Sequence, residues 1–171
     1  MKILDLITNI MEKEEQFLIT SHVRPDGDSI GTQLALGIML SEMGKKVTIL
    51  NEDTVPKCYS FLPHSDWIKS SLDNNAQFDA AIILDCSEWE RVGRIAPVAQ
   101  KIDIIVNIDH HVDGVGLGQY NYIDPSAAAV AEQAYRLLKH MKQPITYELA
   151  LCLYTGILTD TGSFKHGNTT L

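Results

Sequence analysis

Short apolar runs rich in Ile and Val alternate along this chain with longer segments whose apolar residues recur at helical spacing. Such runs predict buried strands, and they cover residues 17–20, 47–50, 80–84 and 102–108, with a weaker edge strand at 120–123. Helical spacing predicts helices over residues 3–13, 30–43, about 126–140 and about 146–159. Strands that alternate with helices indicate an α/β fold, here a doubly wound, mainly parallel sheet of about five strands.

Turn-forming residues mark the ends of these elements. Gly44 should cap the second helix at its C-terminus, and Asp124 or Ser126 should cap the third helix at its start. The remaining segments are irregular: a short helix is predicted from Pro56 to Phe61, and Gly93 and Pro97 should divide residues 88–100 into two helical pieces. Neither a repeat nor a linker interrupts the 171 residues, which therefore predict one domain.

Composition limits the class of partner. The net charge of -8 argues against binding a long nucleic acid duplex, which requires clustered Lys and Arg, but it leaves small anionic substrates open. The three cysteines, Cys58, Cys86 and Cys152, are odd in number and widely spaced, so they suit neither disulfides nor a zinc site. No apolar run approaches the ~20 residues of a membrane span, and the N-terminus carries charges where a signal peptide would be apolar. We therefore expect a cytoplasmic protein that does not bind membranes.

Acidic or histidine-rich turns follow three of the predicted strands. The residues concerned are His22, Asp26 and Asp28 after the first strand, Asp85 after the third, and Asp109, His110 and His111 after the fourth. Because the carboxyl ends of parallel strands meet at one edge of a sheet, these side chains should converge there. Carboxylates packed so closely repel one another unless cations neutralise them. Carboxylates with imidazoles and without thiolates suit Mn²⁺ or Mg²⁺, with Zn²⁺ or Fe²⁺ as alternatives.

Each of these residues also has a purely structural explanation. Pro-Asp-Gly-Asp is a good turn sequence, and Asp28 or Ser29 could cap the following helix. Taken alone, Asp85 could stabilise a turn, and Asp160, near the end of the last predicted helix, could be a surface carboxylate. Their joint placement at one edge of the sheet is what favours a functional site.

Four segments, in order along nearly the whole chain, resemble the motifs of the DHH phosphoesterase superfamily. They are residues 21–29 (SHVRPDGDS), 84–86 (LDC), 109–111 (DHH) and 156–162 (GILTDTG). The superfamily includes RecJ-type exonucleases, oligoribonucleases that degrade nanoRNA and also dephosphorylate 3′-phosphoadenosine 5′-phosphate (pAp), cyclic-dinucleotide phosphodiesterases and family II inorganic pyrophosphatases. The resemblance, together with the general rule for doubly wound folds, implies the strand order 2-1-3-4-5.

The resemblance also implies a site for two metal ions, usually Mn²⁺, with Mg²⁺ or another divalent cation as the alternative. One ion would be held by His22, Asp26 and Asp85, and the other by Asp28, Asp85, His110 and Asp160, so that Asp85 bridges the two. Asp109 would orient an imidazole. His111 would face the substrate phosphate and either stabilise its charge or protonate the leaving oxygen. Paired ions of this kind activate water for attack on phosphorus.

Within the superfamily, the first motif and residues 155–164 look like the oligoribonuclease and pAp phosphatase branch. Pyrophosphatases typically carry Asn-Pro-Asp-Thr-Asp in the first motif, and cyclic-dinucleotide members usually attach this module to membrane and sensory domains. We therefore expect a phosphoesterase that hydrolyses short oligoribonucleotides to nucleoside monophosphates, pAp to AMP, or both. A RecJ-like single-strand exonuclease, a cyclic-dinucleotide phosphodiesterase and a pyrophosphatase are alternatives, and a non-catalytic metal-binding regulatory domain is an alternative of another class.

Two short segments depart from the family pattern. Residues 126–129 carry fewer hydroxyls than relatives do. Residues 165–167 are Lys-His-Gly, where relatives are expected to carry Arg and an aromatic or polar residue. Both departures affect the expected substrate contacts but not the expected metal ligands. Relatives also carry a second, substrate-binding domain, called DHHA1, for which this sequence offers no candidate segment. We therefore expect residues 1–171 to form the DHH catalytic domain of a longer protein. The sequence leaves a homodimer open.

Overall fold

The computed structural model describes residues 2–71 and 76–170. The helices are α1 (Ile3–Lys13), α2 (Gly27–Glu42), α3 (Trp89–Val92), α4 (Ala96–Ala99), α5 (Val130–His140) and α6 (Tyr147–Asp160). The strands are β1 (Gln16–Thr20), β2 (Lys46–Leu50), β3 (Ile68–Lys69), β4 (Ala80–Leu84), β5 (Ile104–Asp109) and β6 (Tyr120–Ile123). Single turns of 3₁₀ helix lie at Lys57–Tyr59, Ser65–Trp67 and Gly93–Ile95. Within these ranges, no helix combines the length and apolarity that crossing a membrane requires.

All the strands are parallel and form one sheet in the order β3-β2-β1-β4-β5-β6. The five strands predicted from the sequence are β1, β2, β4, β5 and β6, and their order in the sheet confirms the predicted order 2-1-3-4-5. The additional strand, β3, was not predicted, because a segment of two residues is too short to show a periodic pattern. The central strand β1 places Ile19 between Ile49 of β2 and Ile82 of β4, and all three side chains are buried.

Helices cover both faces of the sheet, as a doubly wound fold requires. One apolar cluster joins the sheet to α1, α2, α5 and α6, and a smaller cluster joins the other face to α3 and α4. Nearly all of α2 is buried, because it lies against the strands and also against α6. Glycine permits this close approach of the two helices: a Cβ atom at Gly31 would lie 2.4 Å from the carbonyl oxygen of Cys152 in α6.

Several predicted boundaries differ from the structure. The helix expected to begin near Ser126 begins instead at Val130, because Asp124 accepts hydrogen bonds from the amide and hydroxyl of Ser126 and so forms a turn. The two helical pieces predicted over residues 88–100 are α3 and α4 with a 3₁₀ turn between them. Gly44 does follow the end of α2, with a φ of 82° that suits glycine.

Candidate metal centre and active site

The carboxyl edge of the sheet brings together every residue that the sequence nominated. His22 follows β1, Asp85 follows β4, Asp109 ends β5, and His110 and His111 follow directly. Helices supply the other carboxylates, because Asp26 and Asp28 lie at the start of α2 and Asp160 is the last residue of α6. The close packing of α2 on α6 is what places residue 160 beside residue 28, across more than 130 positions of sequence.

A first group of potential metal ligands consists of His22, Asp26 and Asp85. One ligand atom from each lies within 4.8 Å of the others. The His22 Nε2 atom is 3.3 Å from Asp85 Oδ2 and 4.0 Å from Asp26 Oδ1. The same Asp26 oxygen caps α2 by accepting hydrogen bonds from the amides of Asp28 and Ser29. The cap therefore holds Asp26 in place and leaves its other carboxylate oxygen available.

A second group consists of Asp28, His110 and Asp160, whose ligand atoms also lie within 4.8 Å of one another. The His110 Nε2 atom is 3.5 Å from Asp160 Oδ2 and 3.8 Å from Asp85 Oδ1. Asp85 thus contacts the first group through one oxygen and approaches the second group through the other. Its backbone φ of 53° is uncommon for a residue other than glycine, and such strain is concentrated at functional sites.

Backbone carbonyls fix the orientation of the two imidazoles in these groups. His22 Nδ1 lies 2.8 Å from the carbonyl oxygen of Val23, and His110 Nδ1 lies 3.1 Å from that of Ala127. Because a carbonyl can only accept, each Nδ1 must carry a hydrogen, and Nε2 is then the ring nitrogen that faces Asp85. Imidazole nitrogens that lie close to carboxylate oxygens in this way could hold a divalent cation, and the absence of thiolates from the groups fits Mn²⁺ or Mg²⁺.

The charges of the buried carboxylates affect one another strongly. Burial is the largest influence on Asp85 and opposes its ionisation, but His22, His111 and His110 together outweigh it and lower the pKa of Asp85. Burial raises the pKa of Asp28 well above the usual value, and the charge of Asp85 adds to the shift. Burial also raises the pKa of Asp160, again with a contribution from Asp85. Cations at this edge would relieve the repulsion that these shifts reflect.

Asp28 has a second set of contacts, which join the site to α5. Its Oδ2 atom accepts a hydrogen bond from the amide of Val130 at 2.6 Å, and its Oδ1 atom accepts one from the amide of Ala131 at 2.9 Å. The N-cap residue of α5, Ala129, provides no side-chain acceptor of its own. Asp28 therefore caps α5 from another element. Sequence reasoning missed this contact, although the lack of a capping residue in Ala127–Ala129 was a signal that the cap comes from elsewhere.

Asp109 orients one of the two adjacent imidazoles. This carboxylate is fully buried, and its Oδ1 atom lies 2.6 Å from His111 Nδ1 and 2.9 Å from the amide of His110. The bond to Asp109 is the largest influence on His111 and raises its pKa, although partial burial opposes the shift. The same Nδ1 atom is 3.8 Å from Asp85 Oδ1, and His111 forms a third group of potential ligands with Asp85 and His110. Because Nδ1 is bonded to Asp109, Nε2 is the ring nitrogen left for other contacts, and 38% of the side chain is exposed.

Buried polar side chains behind the site connect the strand ends. Asn107, in the apolar strand β5, donates to the carbonyls of Ile83 and Cys86 and accepts from the amide of Leu117. It therefore ties the loop that carries Asp85 to the glycine-rich loop after His111. Sequence reasoning passed over it, but a single Asn in an apolar strand was the available signal, because buried amides need partners.

Comparison with known proteins identifies the family of the chain. The family described as DHH family, N-terminal domain, matches residues 16–157. The chain therefore belongs to the DHH family, as its four motifs predicted. It is 33% identical over 166 residues to a protein of Thermus thermophilus named bifunctional oligoribonuclease and PAP phosphatase NrnA, covering 96% of this chain and 49% of that protein. The chain spans about half the length of the curated relatives it matches.

Solved structures show the same fold. An exopolyphosphatase-related protein from Bacteroides fragilis superposes with a TM-score of 0.90 at 27% identity, covering 99% of this chain and 52% of that one. The exonuclease RecJ, crystallised with manganese, superposes with a TM-score of 0.54 at 13% identity, covering 98% of this chain and 46% of RecJ. At that identity, the likeness to RecJ is one of fold alone.

Proposed function

We propose that this chain is the catalytic domain of a manganese-dependent phosphoesterase that hydrolyses short oligoribonucleotides to nucleoside monophosphates and pAp to AMP. The observation that carries the proposal is the position of Asp85, which lies between two groups of potential ligands and beside an imidazole held by Asp109. The name of the Thermus relative supports the choice of substrates. Residues 1–171 are proposed to contain all the metal ligands.

In this proposal, His22, Asp26 and Asp85 would hold one ion, and Asp28, Asp85, His110 and Asp160 would hold the other. When bound, such ions lower the pKa of water and offset the charge of a phosphate. The protein's own contribution is to fix the ligands beforehand. The carbonyls of Val23 and Ala127 set which nitrogen each imidazole offers, so that little reorganisation is needed when cations bind.

His111 is proposed to act on the substrate rather than on the metal. Its Nδ1 atom is bonded to Asp109, so the ring offers the substrate a single nitrogen, Nε2. Because the pKa of His111 is raised, the ring carries a proton more readily than a free imidazole does. A protonated Nε2 can stabilise a phosphate oxygen or give a proton to the departing oxygen, while Asp109 positions the ring.

The substrate is proposed to be short because the chain is acidic. Binding along a long strand requires many Lys and Arg contacts with phosphates, and a net charge of -8 with only 14 Lys and Arg residues disfavours it. Mononucleotide bisphosphates and dinucleotides need few such contacts. This reasoning separates the proposed activity from that of a RecJ-like exonuclease, which would act on long single strands.

The test is to assay the metal-free chain, with and without added Mn²⁺, on bis(p-nitrophenyl) phosphate, a dinucleotide, pAp, pyrophosphate and a long single strand. We expect Mn²⁺-dependent hydrolysis of the activated diester and preference for the dinucleotide or pAp over the other natural substrates. His111→Ala should lower kcat by roughly 10²–10⁴ while the chain still binds Mn²⁺. His140→Ala, an exposed histidine on α5, is the control.

Four results would contradict the proposal or one part of it. Preference for the long strand would favour the exonuclease, and preference for pyrophosphate would favour a pyrophosphatase. Mn²⁺ binding without hydrolysis of any substrate would favour the non-catalytic metal-binding domain. Normal turnover by His111→Ala would remove that residue from the mechanism.

A further inference from the structure

The residues at the start of α5 fix two of the three ligands in the second group. The carbonyl of Ala127 orients His110, and two amides of the same stretch donate to Asp28. We call residues 127–131 the 127–131 segment. In the part of the chain that the structure describes, Asp160 makes no hydrogen bond to this segment itself. Its position relative to the other two ligands therefore depends on how the end of α6 is tied to the segment.

Asn168 makes this connection with a single amide nitrogen. Its Nδ2 atom lies 2.9 Å from the carbonyl oxygen of Ala128, in the 127–131 segment, and 3.3 Å from the carbonyl oxygen of Asp160. A side-chain amide carries two hydrogens, so one can be donated to each carbonyl. His166 adds a longer contact, because its Nδ1 atom lies 3.4 Å from the same carbonyl of Asp160. The last turn of α6 is thus joined to the segment that holds the other ligands.

The oxygen of the Asn168 amide indicates that the side chain is placed for its donors. Oδ1 is buried and has no hydrogen-bond partner among the described residues. Buried polar atoms are normally paired, and an acceptor left without a partner costs stability. An apolar side chain of similar size would fill the same space without this cost. What it could not supply is the pair of bonds to Ala128 and Asp160.

The chain reverses sharply after α6 and so brings Asn168 back to the end of that helix. Residues 162–164 all have left-handed backbone angles, with φ of 56°, 59° and 61°. Only the first of them is a glycine, and other residues adopt this conformation at a cost. The carbonyl of Thr161 accepts hydrogen bonds from the amides of residues 165 and 166, which fixes the reversal. Such strain persists where surrounding contacts maintain it.

We propose that Asn168 is a positioning residue for the second metal ion, the one that Asp28, His110 and Asp160 would hold. This inference rests on the two-ion site of the proposed function. By joining α6 to the 127–131 segment, Asn168 sets the distance between Asp160 and the other two ligands before an ion binds. Neither of its hydrogen bonds reaches the first group of ligands. Loss of the Asn168 amide should therefore weaken the binding of one ion and spare the other.

The test is a Mn²⁺ titration of the metal-free chain and of Asn168→Ala, followed by calorimetry and electron paramagnetic resonance. Removing a contact that orients metal ligands costs roughly 10–100-fold in metal affinity. We expect one of the two dissociation constants to rise by about this factor while the other stays at its wild-type value. The magnetic coupling between the ions should appear only at correspondingly higher Mn²⁺. Asn168→Leu, which keeps the size of the side chain but cannot donate, should behave like Asn168→Ala.

The matched control is Asn121→Ala. The Asn121 amide also donates to a backbone carbonyl, that of Gly118 at 2.7 Å, but none of its hydrogen bonds reaches a proposed ligand or the 127–131 segment. Both dissociation constants should therefore stay at their wild-type values in this variant. Circular dichroism of the metal-free proteins checks that each variant is folded. A selective loss in Asn168→Ala that Asn121→Ala does not share would separate positioning from general stability.

Several results would overturn the inference. Two unchanged constants in Asn168→Ala would show that the amide does not position a ligand. Equal weakening of both ions would indicate a general loss of structure, and recovery of affinity in Asn168→Leu would show that packing, and not donation, matters. A wild-type chain that binds fewer than two ions would refute the proposed two-ion site and the inference with it. Two coupled ions in the wild type, unaffected by either variant, would refute the inference alone.

Discussion

Asp28 should stabilise the protein even in the absence of metal, which a residue serving only as a ligand would not do. Replacement by Ala removes the acceptor for the amides of Val130 and Ala131, and the bond that the Thr32 hydroxyl donates at 3.2 Å. Val130 and Ala131 are fully buried, so water cannot replace the lost acceptor. We therefore expect Asp28→Ala to lower the free energy of unfolding of the metal-free chain.

The expected loss in the free energy of unfolding on Asp28→Ala follows from two opposing effects. Loss of a helix N-cap costs roughly 0.5–2 kcal/mol, and each buried donor left without a partner costs roughly 1–3 kcal/mol. Against this, the substitution removes a carboxylate whose ionisation is disfavoured by burial and by Asp85. The donors lose their partner outright, whereas Asp28 can reduce its own penalty by binding a proton. The net loss should be about 2–3 kcal/mol, or a decrease in Tm of roughly 5–10 °C for a domain of this size.

The assay is urea denaturation of the metal-free chain in EDTA, followed by circular dichroism. Asp160→Ala is the matched control, because Asp160 belongs to the same group of ligands but its carboxylate caps no helix. Its free energy of unfolding should change by less than about 0.5 kcal/mol, or rise slightly as repulsion is relieved. Asp28→Asn should fall between wild type and Asp28→Ala, because an amide keeps one acceptor oxygen. Equal midpoints for Asp28→Ala and Asp160→Ala would refute the reasoning.

Three further predictions concern the packing and the ligands. Gly31→Ala should destabilise the chain by more than about 2 kcal/mol in denaturation, because its Cβ would collide with the Cys152 carbonyl, whereas Gly167→Ala, with open space around it, should cost little. Asp85→Ala should cause the largest loss of bound Mn²⁺ of any single ligand substitution, measured by elemental analysis; full occupancy would rule out a bridging role. Asp109→Asn should leave Mn²⁺ binding intact and lower kcat by roughly 10²-fold, since the amide holds His111 less well; unchanged kcat would show that the contact is only structural.

The sequence was sufficient for the parts of the fold that repeat regularly. Parallel strands joined by helices have few permitted arrangements, so the order of the five predicted strands followed from the alternation and the family resemblance. The convergence of His22, Asp85 and His110 followed from the same rule, because each one follows a strand of a parallel sheet. Asp26 and Asp28, which follow the first strand, were included by the same rule, whereas Asp160, at the end of a helix, came from the motif at residues 156–162.

The features that the sequence did not predict depend on long-range contacts. The start of α5 was placed four residues too early, because the acceptor for its first amides lies 102 positions away at Asp28. The sequence implied that Asp109 orients an imidazole but could not say which one; the structure places its carboxylate on His111, while a carbonyl orients His110. The strand β3 escaped notice because two residues that pair with β2 carry no recognisable pattern.

The measurement that most directly tests the central claim is a titration of the metal-free chain with Mn²⁺, followed by electron paramagnetic resonance. If Asp85 is shared by two groups of ligands, the chain should bind two Mn²⁺ ions, and their spectrum should show magnetic coupling between the two. Binding of a single ion, or of two ions whose spectra are independent, would contradict a shared site at the carboxyl edge of this sheet.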